Sequence, residues 1–403
     1  HKYLTLLFPF LLTACADTDG LSGSSWNADS TGYVALNICL PATGGAGMRA
    51  SSDGTLTDGE KKEYVVNDAT LVLFAGNNEE EALFEGAYMV PARFTTDGST
   101  SQVTVSSRVT RKIRQVEQGN VYAYVILNGI GAGVVDTEDG AATDDVQHTA
   151  LTVKTKDGTV TLSRQAPVTF RKFQQYVTDA TDTRHGFLMT NAPLYNTATG
   201  TNTVQALSRI APERIKLTPE EAEREAATEV YVERVMAKVS LVDGRDRDKA
   251  KRQYSVTNDA GTKTTYHVTL KNWVLDNTNR SAYLTRHATT ADFMTWAGLK
   301  NVKATATRFI GVQTVATTGD YRTFVRTHWA KDVNYDRNVH PDDMSRLGDG
   351  NEAAVNGELG TDKPQYCFEN TFDVERMTIG NTTRAILAAQ FVEDGKAPAD
   401  LYL

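Results

Sequence analysis

The stretch that decides the fold is Tyr33–Leu40, which reads Tyr-Val-Ala-Leu-Asn-Ile-Cys-Leu. Side chains along a β-strand point alternately to its two faces. One face of this stretch therefore carries the aliphatic side chains of Val34, Leu36, Ile38 and Leu40. The other face carries Tyr33, Ala35, Asn37 and Cys39. This alternation predicts a strand that is buried on one face.

The connection after this strand is rich in proline and glycine over Pro41–Gly47, and a single basic residue, Arg49, follows soon after. Exposed loops of small residues are the segments that proteases cut most readily. The bond between Arg49 and Ala50 is therefore a candidate cleavage site. A cut there would leave the first strand held to the rest of the protein only by noncovalent contacts.

The composition narrows the classes of protein and partner. The chain has 403 residues, a formal net charge of −8 at pH 7, and the cysteines Cys15, Cys39 and Cys367. The acidic balance, with no Lys/Arg stripe, argues against nucleic acid as a partner. The cysteines are too few for a disulfide framework and lack the spacing of a zinc site. Abundant Thr, Val, Ala and Tyr with little helical periodicity predict an all-β protein.

The N-terminal residues have the features of a bacterial lipoprotein signal. Lys2 precedes the short apolar run Tyr3–Leu12, and a membrane-spanning helix would need about 20 residues. The sequence Leu-Thr-Ala-Cys then ends at Cys15 and resembles a lipobox, in which the cysteine is lipidated and becomes the mature N-terminus. We predict a signal peptide at residues 1–14 and a lipid on Cys15. The alternative to lipidation is that Cys15 is an unmodified cysteine, either buried or incidental.

Further elements divide the chain into two parts. The pattern predicts a central strand at Val121–Leu127 and one long strand at Val230–Asp243. The segment Thr218–Thr228 predicts a short helix, because Thr followed by Pro and two acids is a typical N-terminus. We place a boundary after this helix, between β domains at residues 50–229 and 230–403.

The sequence supports no enzymatic chemistry. Gly129–Gly133 lacks the spacing and the following helix of a dinucleotide fingerprint, and therefore predicts a loop. The histidines form no metalloenzyme motif and no GxSxG elbow is present, so no catalytic residue, metal or cofactor is predicted. Asp332–Asp343 matches a calcium loop only in part, because Arg337 stands where glycine is needed. The acidic residues around Glu79–Glu81 are predicted to be a solvated face.

Several segments together resemble the major fimbrial subunits (fimbrillins) of the Bacteroidales, in particular the subgroup that builds short fimbriae. Besides the lipobox and the Arg49 junction, they are Gly186–Asn191, Val232–Val239, Arg280–Arg286 and Tyr366–Thr371. The resemblance extends over nearly the whole chain. It implies two transthyretin-like β-sandwich domains in tandem with a few short helices.

The resemblance also implies how such a subunit matures and assembles. A lipidated precursor reaches the outer membrane, an Arg-specific protease cuts after Arg49, and the prosegment at residues 15–49 leaves with the first strand. The open groove accepts a strand from the next subunit, and a cell-surface fimbria results that supports adhesion and biofilm formation.

The partners implied by this resemblance are other copies of the chain, minor fimbrial subunits, the maturation protease, and ligands on host or bacterial surfaces. The donor strand of the family lies at the far C-terminus. No alternating strand stands out near Leu403, so we expect the sequence to be truncated there relative to the family.

Two other functions remain open at this point. A monomeric surface lipoprotein would bind glycans through exposed aromatic residues such as Trp273, Trp296 and Trp329, and would stay lipidated and uncut. The second alternative is a tip or anchor subunit of the same fimbria, and an anchor would keep its lipid and lack a working cleavage site. The Arg49 site in a glycine-rich loop favours the shaft subunit.

Overall fold

The computed structural model describes residues 26–40, 61–90, 95–96, 105–116, 119–136, 147–180, 183–196, 203–244, 253–289, 309–310, 325–330, 344–347, 352–370 and 382–403. Strands dominate these residues, and the helices among them are short. The predicted all-β class with a few short helices is therefore confirmed.

The largest sheet has nine strands and holds the first strand of the described residues in its interior. In order across the sheet, the strands are β3 (Leu83–Val90), β2 (Ala69–Gly76), β6 (Asn120–Leu127), β11 (Met189–Asn191), β15 (Thr228–Arg234), β1 (Thr31–Leu40), β5 (Val105–Arg114) and β4 (Thr95–Thr96), and β14 (Ser208–Ile210) pairs with β6. The central strand predicted at Val121–Leu127 is β6 and is confirmed.

The sheet has hydrophobic cores on both faces. Because side chains alternate along a strand, Leu73 of β2 and Val125 of β6 enter one core, whereas Phe74 and Tyr124 enter the other. We call the core that contains Leu73 and Val125 the inner core. It also contains side chains of β1, β5 and β15, so the two ends of the sheet face each other across it in a sandwich-type arrangement. The second core is covered by helix α1 (Phe170–Phe173).

Smaller sheets complete the described residues. They are the three-stranded sheet β7 (Val135–Asp136), β8 (Ala150–Thr155) and β9 (Gly158–Ser163), the four-stranded sheet β17 (Gln253–Thr257), β18 (Lys263–Asp276), β26 (Arg384–Glu393) and β27 (Ala399–Tyr402), and the three-stranded sheet β21 (His287–Thr289), β23 (Val325–His328) and β22 (Phe309–Ile310). The two-stranded pairs are β10 (Val177–Thr178) with β20 (Ala282–Tyr283), β12 (Leu194–Asn196) with β13 (Thr203–Gln205), β16 (Met236–Val239) with β25 (Gln365–Phe368), and β19 (Thr278–Asn279) with β24 (Met344–Ser345).

The prediction of one long strand at Val230–Asp243 is wrong. The structure has two strands there, β15 and β16, and they belong to different sheets. The chain changes sheet at Val235, whose side chain is buried. Residues 229 and 230 thus lie inside β15, a strand of the nine-stranded sheet. The division of the chain into two domains stays a prediction, and the pairing of β15 favours a boundary near Val235.

The short helix predicted after Thr218 is confirmed as α2 (Pro219–Arg224). The Thr218 hydroxyl accepts a hydrogen bond from the backbone N–H of Glu221, which satisfies one of the free donors at the helix start. Single 3-10 turns lie at Lys61–Tyr64, Pro212–Arg214 and Glu352–Ala354.

The glycine-rich segment after β6, predicted as a loop, is a turn. It begins at Asn128, whose φ of 58° is left-handed, a conformation that asparagine tolerates better than most residues. The Asn128 side-chain amide donates to the carbonyls of Val65 and Phe187 and its oxygen accepts from the N–H of Asn67. These bonds tie the turn to its neighbours and leave no helix start for a dinucleotide to approach.

Candidate functional site

Strand β1 is an interior strand of the sheet, with a neighbour on each side. It pairs antiparallel with β5 over its full length, from Thr31 opposite Arg114 to Leu40 opposite Val105. On its other side it pairs parallel with β15, from Leu36 opposite Thr228 to Cys39 opposite Tyr231. We call the space that β1 occupies between β5 and β15 the β1 groove.

The inward face of β1 is the face predicted from the sequence. Its aliphatic side chains Val34, Leu36 and Ile38 are 0% exposed and Leu40 is 3% exposed. All four lie in the inner core. The walls of the groove contribute Val109 and Ile113 from β5 and Val230 and Val232 from β15 to the same core. Without β1, these wall side chains would lose their central packing partner.

The outward face of β1 is covered by the segment that connects β14 to β15, which we call the strap (residues 211–227). Helix α2 in the strap packs against β1 and β5. Ala35 on this face is 0% exposed, and its carbonyl accepts the N–H of Ala227 at 2.6 Å. Arg108 of β5 donates from Nε to the Asn37 side-chain oxygen at 2.9 Å and from its terminal nitrogen to the Glu223 carbonyl at 2.9 Å. This guanidinium thereby joins β1, β5 and the strap.

The start of β1 is held by backbone and side-chain bonds to the strap. Tyr33 exchanges two backbone hydrogen bonds with Lys216, at 2.7 and 2.9 Å. Asn27, just before the strand, donates from its side chain to the Leu217 carbonyl at 3.0 Å. On the β5 side, Lys112 forms an exposed ion pair with Asp29 at 3.2 Å. The strand is therefore secured on both sides and on its outer face.

Cys39, near the end of β1, is a free thiol on the outward face. Burial, together with the charge of Glu229, raises the pKa of the Cys39 thiol to about 11. The thiol is therefore mostly protonated at neutral pH while β1 is in place, which slows its reactions. The predicted lipidation site Cys15 and the predicted cleavage site, Arg49 and Ala50, lie outside the described residues.

Comparisons with known proteins give weak structural similarities. No protein-family model and no curated protein matches the chain. A candidate cell adhesion protein from Parabacteroides distasonis is similar in structure with a TM-score of 0.38 and 11% identity, over 92% of this chain and 79% of that protein. A fimbrial assembly protein from the same species has a TM-score of 0.32 and 10% identity, over 93% of this chain and 85% of that protein. At these low scores, neither similarity carries an argument about family or function.

A buried ionic cluster lies between the nine-stranded sheet and the segments that follow it. The Glu63 carboxylate, 1% exposed, contacts the Lys238 ammonium at 2.7 Å and accepts the Tyr366 hydroxyl at 2.7 Å. Burial opposes ionisation of Glu63, but these hydrogen bonds and the nearby Arg234 outweigh it, so its pKa lies below its usual value. The Arg234 guanidinium also stacks 4.6 Å from the centre of the Tyr64 ring. This cluster ties residues just after the predicted cleavage loop to β16 and β25.

The aromatic residues proposed for glycan binding are not exposed. Trp273 is 0% exposed and donates from its indole N–H to the Glu358 carbonyl at 2.9 Å, and Trp329 is 4% exposed. Trp296 lies outside the described residues. The glycan-binding hypothesis was wrong for Trp273 and Trp329, because exposure of an aromatic residue depends on long-range packing that the local sequence does not encode.

The prediction of a solvated face around Glu79–Glu81 is wrong for Glu79. Its carboxylate oxygens accept the N–H groups of Ala206 and Leu207 at 3.0 and 3.1 Å. Burial raises the pKa of Glu79 to about 7, although these two hydrogen bonds oppose the shift. Glu79 therefore pins the segment before β14 to the turn between β2 and β3.

Other predicted features fall outside the site. The possible calcium loop Asp332–Asp343 lies outside the described residues. Over the ranges that the structure describes, no group of three or more His, Cys, Asp or Glu is placed to hold a metal ion. No helix within those ranges is long and apolar enough to cross a membrane.

The sequence did not reveal the neighbours of β1. The pairing of β1 with β5 and β15, the strap over its outward face, and the role of Arg108 were not predicted. The strand-like pattern from Val230 overlaps the wall in β15, and the N-cap signal at Thr218 predicted the helix that lies in the strap, but neither signal specified a contact with β1.

Proposed function

We propose that the chain is the major shaft subunit of a cell-surface fimbria, a structural protein without catalytic activity that polymerises by strand exchange at the β1 groove. One observation carries the proposal. Strand β1 is the first strand of the described chain, yet it fills an interior position with aliphatic side chains in the inner core. Its loss would open a complete groove rather than trim an edge.

The energetics of the groove favour an occupant from another chain. Each buried aliphatic side chain contributes about 1.5–3 kcal/mol, so the inward face of β1 contributes on the order of 6–12 kcal/mol. Backbone hydrogen bonds to β5 and β15 add about 0.5–1.5 kcal/mol each. An empty groove also presents two rows of unpaired backbone groups, which are a template for an incoming strand.

Maturation would control when the groove opens. In this proposal the precursor is lipidated at Cys15 on the outer membrane, and β1 blocks polymerisation by occupying the groove within the same chain. An Arg-specific protease cuts between Arg49 and Ala50, and the prosegment leaves. A strand from the next copy then enters, and such head-to-tail contacts do not close on themselves, so they form filaments. Minor subunits and surface ligands would bind to the completed filament.

The cleavage step is tested by Arg49→Ala. The variant should remain a folded, lipidated precursor that forms no filaments, and the N-terminal sequence of surface material sheared from wild-type cells should begin at Ala50. Normal filaments from the variant would refute the maturation step. A lipidated wild-type monomer beginning at Cys15 would instead indicate an anchor subunit.

The exchange step is tested by a disulfide between β1 and β5. The backbone N–H and C=O of Tyr33 both bond to Lys216 and therefore point away from β5. Every second residue along β1 has the same orientation, so Asn37 also points its backbone groups away from β5 and forms a non-hydrogen-bonded pair with Arg108. The Cα atoms of such a pair are about 4.5 Å apart, within the range for a disulfide. Asn37→Cys with Arg108→Cys, in a Cys39→Ser background, should therefore lock the strand.

The locked variant should be cut normally but should polymerise only after the disulfide is reduced. The same cut sample before and after reduction provides the matched comparison, and Cys39→Ser alone provides the control for the background. Filament formation at an equal rate while the disulfide is intact would show that β1 does not need to leave.

A further inference from the structure

We infer that the β1 groove selects its occupant by side chains on the outward face: it requires a small residue at the position of Ala35 and favours a hydrogen-bond acceptor at the position of Asn37. This inference rests on the proposed function, in which another strand replaces β1. It identifies the partner by chemistry, as an extended strand that combines alternating aliphatic residues on one face with these two features on the other.

The inward face alone gives little selectivity. The inner core accepts aliphatic side chains at the positions of Val34, Leu36, Ile38 and Leu40, and cores of this kind tolerate exchanges among residues of similar volume. Many strands in any proteome carry such an alternation. A groove that read only this face would accept many wrong partners, so discrimination must come from the outward face.

The position of Ala35 restricts size. Ala35 has no exposed surface although it points away from the inner core, and Ala222 of α2 on the strap is likewise 0% exposed. Helix α2 of the strap packs against β1, and the N–H of Ala227 at the end of the strap donates in the plane of the sheet to the Ala35 carbonyl at 2.6 Å. A larger side chain at this position would have to displace the strap. The groove therefore excludes strands with a bulky residue there.

The position of Asn37 favours an acceptor. The Arg108 guanidinium lies on the outward face and donates to the Asn37 side-chain oxygen at 2.9 Å. A second donor of the same guanidinium is fixed on the Glu223 carbonyl, so Arg108 is pre-positioned by the strap rather than by β1. Arg108 is exposed, so water would take over this donor if an aliphatic residue stood at position 37, and the strand would lose one charge-assisted hydrogen bond. Asparagine, glutamine or an acid would keep this hydrogen bond.

A peptide-exchange experiment tests both features. The full chain carries a site-specific protease sequence in place of residues 43–47 and is cut once there. Labelled peptides with the sequence of residues 31–40, all carrying Cys39→Ser, then compete for the groove, and fluorescence polarisation reports binding. The peptides are the parent, Ala35→Leu, Asn37→Leu, and Tyr33→Phe as a matched change on the same face.

We expect Ala35→Leu to weaken binding by about 10- to 100-fold, as overpacking does, and Asn37→Leu by about 5- to 10-fold. Tyr33→Phe should stay within about twofold of the parent. In an Arg108→Ala protein, the parent and Asn37→Leu peptides should bind equally, whereas the penalty of Ala35→Leu should persist. This double-mutant comparison separates recognition by Arg108 from any general effect on the peptide.

The outcomes are distinguishable. If the parent peptide exchanges but Ala35→Leu and Asn37→Leu bind as well as it does, the selectivity inference is overturned and strand exchange stands. If the Asn37→Leu penalty survives in Arg108→Ala, the assignment of Arg108 is overturned. If no peptide enters the cut protein, both the inference and the proposed exchange fall.

Discussion

Replacement of Leu36 by alanine should affect the precursor and the filament differently. Leu36 is 0% exposed and lies in the inner core between the walls of the β1 groove. In the uncut chain, its loss leaves a cavity in that core. In the filament of the proposed function β1 has left, and a strand from another copy fills the groove. The substitution therefore removes a contact from the precursor and none from the mature polymer.

The size of the effect follows from the burial of Leu36. Truncation of a fully buried leucine to alanine costs about 2–5 kcal/mol, because transfer and cavity terms add. With a slope of about 2–3 kcal/mol per molar urea, the unfolding midpoint of the precursor should fall by about 0.7–2.5 M. Urea unfolding, followed by tryptophan fluorescence, measures this shift on the uncut precursor. Urea dissociation of filaments assembled from the cut variant measures it on the polymer.

Leu127→Ala is the matched control for this comparison. Leu127 of β6 is also 0% exposed in the inner core, but it belongs to a strand that stays in the mature subunit. It should destabilise precursor and filament alike. If Leu36→Ala lowers the stability of the filament as much as Leu127→Ala does, β1 remains in the assembled subunit and the reasoning fails.

Three further predictions concern charged and thiol groups. Lys238→Ala should lower the free energy of unfolding by about 1–3 kcal/mol, because it removes a charged hydrogen-bond partner from the buried Glu63, while the nearby Arg234 still stabilises the Glu63 charge. Lys156→Ala, in an exposed ion pair, should change the free energy of unfolding by less than about 0.5 kcal/mol, and equal effects of the two substitutions in urea unfolding would contradict the burial argument. The pKa of Glu79 is raised from its usual 4.5 to about 7, so the folded state binds the Glu79 proton more tightly than the unfolded state does. This proton binding stabilises the protein fully below about pH 4.5, and the free energy of unfolding should fall as the pH rises from about 4.5 through 7. Glu79→Gln should flatten this part of a stability–pH profile, and an unchanged profile would show that Glu79 does not titrate there. The pKa of Cys39 is about 11 in the precursor, so at pH 8 less of this thiol is the reactive thiolate than in the released strand. Cys39 should therefore react with a maleimide about a hundredfold more slowly in the precursor, and rapid labelling of Cys39 in the intact precursor would show that β1 is not held.

Local patterns were sufficient to predict several elements and the orientation of one strand's faces. The alternation in Tyr33–Leu40 gave the inward face of β1, because a strand has a fixed period of two residues whatever its neighbours are. The continuous apolar run of Val121–Leu127 gave β6, a strand buried on both faces. Thr218 gave the start of α2, because capping involves only residues within one helical turn.

The arrangement of the candidate site could not be predicted in this way. The parallel pairing of β1 with β15 joins Leu36 to Thr228, and no local signal specifies a partner at that distance along the chain. The change of sheet at Val235 was missed for the same reason, since both halves of Val230–Asp243 have strand-like sequences. The burial of Trp273 depends on β18 meeting the segment around Glu358, which is also a long-range contact.

The two walls of the β1 groove also become available at different times as a chain is made from its N-terminus. Strand β5 ends at Arg114, so the antiparallel wall exists early, whereas β15 ends at Arg234 and can close the other side only after about 120 further residues have been produced. Pairings with such large sequence separation form slowly, because the entropy of closing the intervening loop opposes them. The nascent protein must therefore carry β1 on a half-built sheet until the strap and β15 arrive. A strand that is made early thus has surroundings that are completed late.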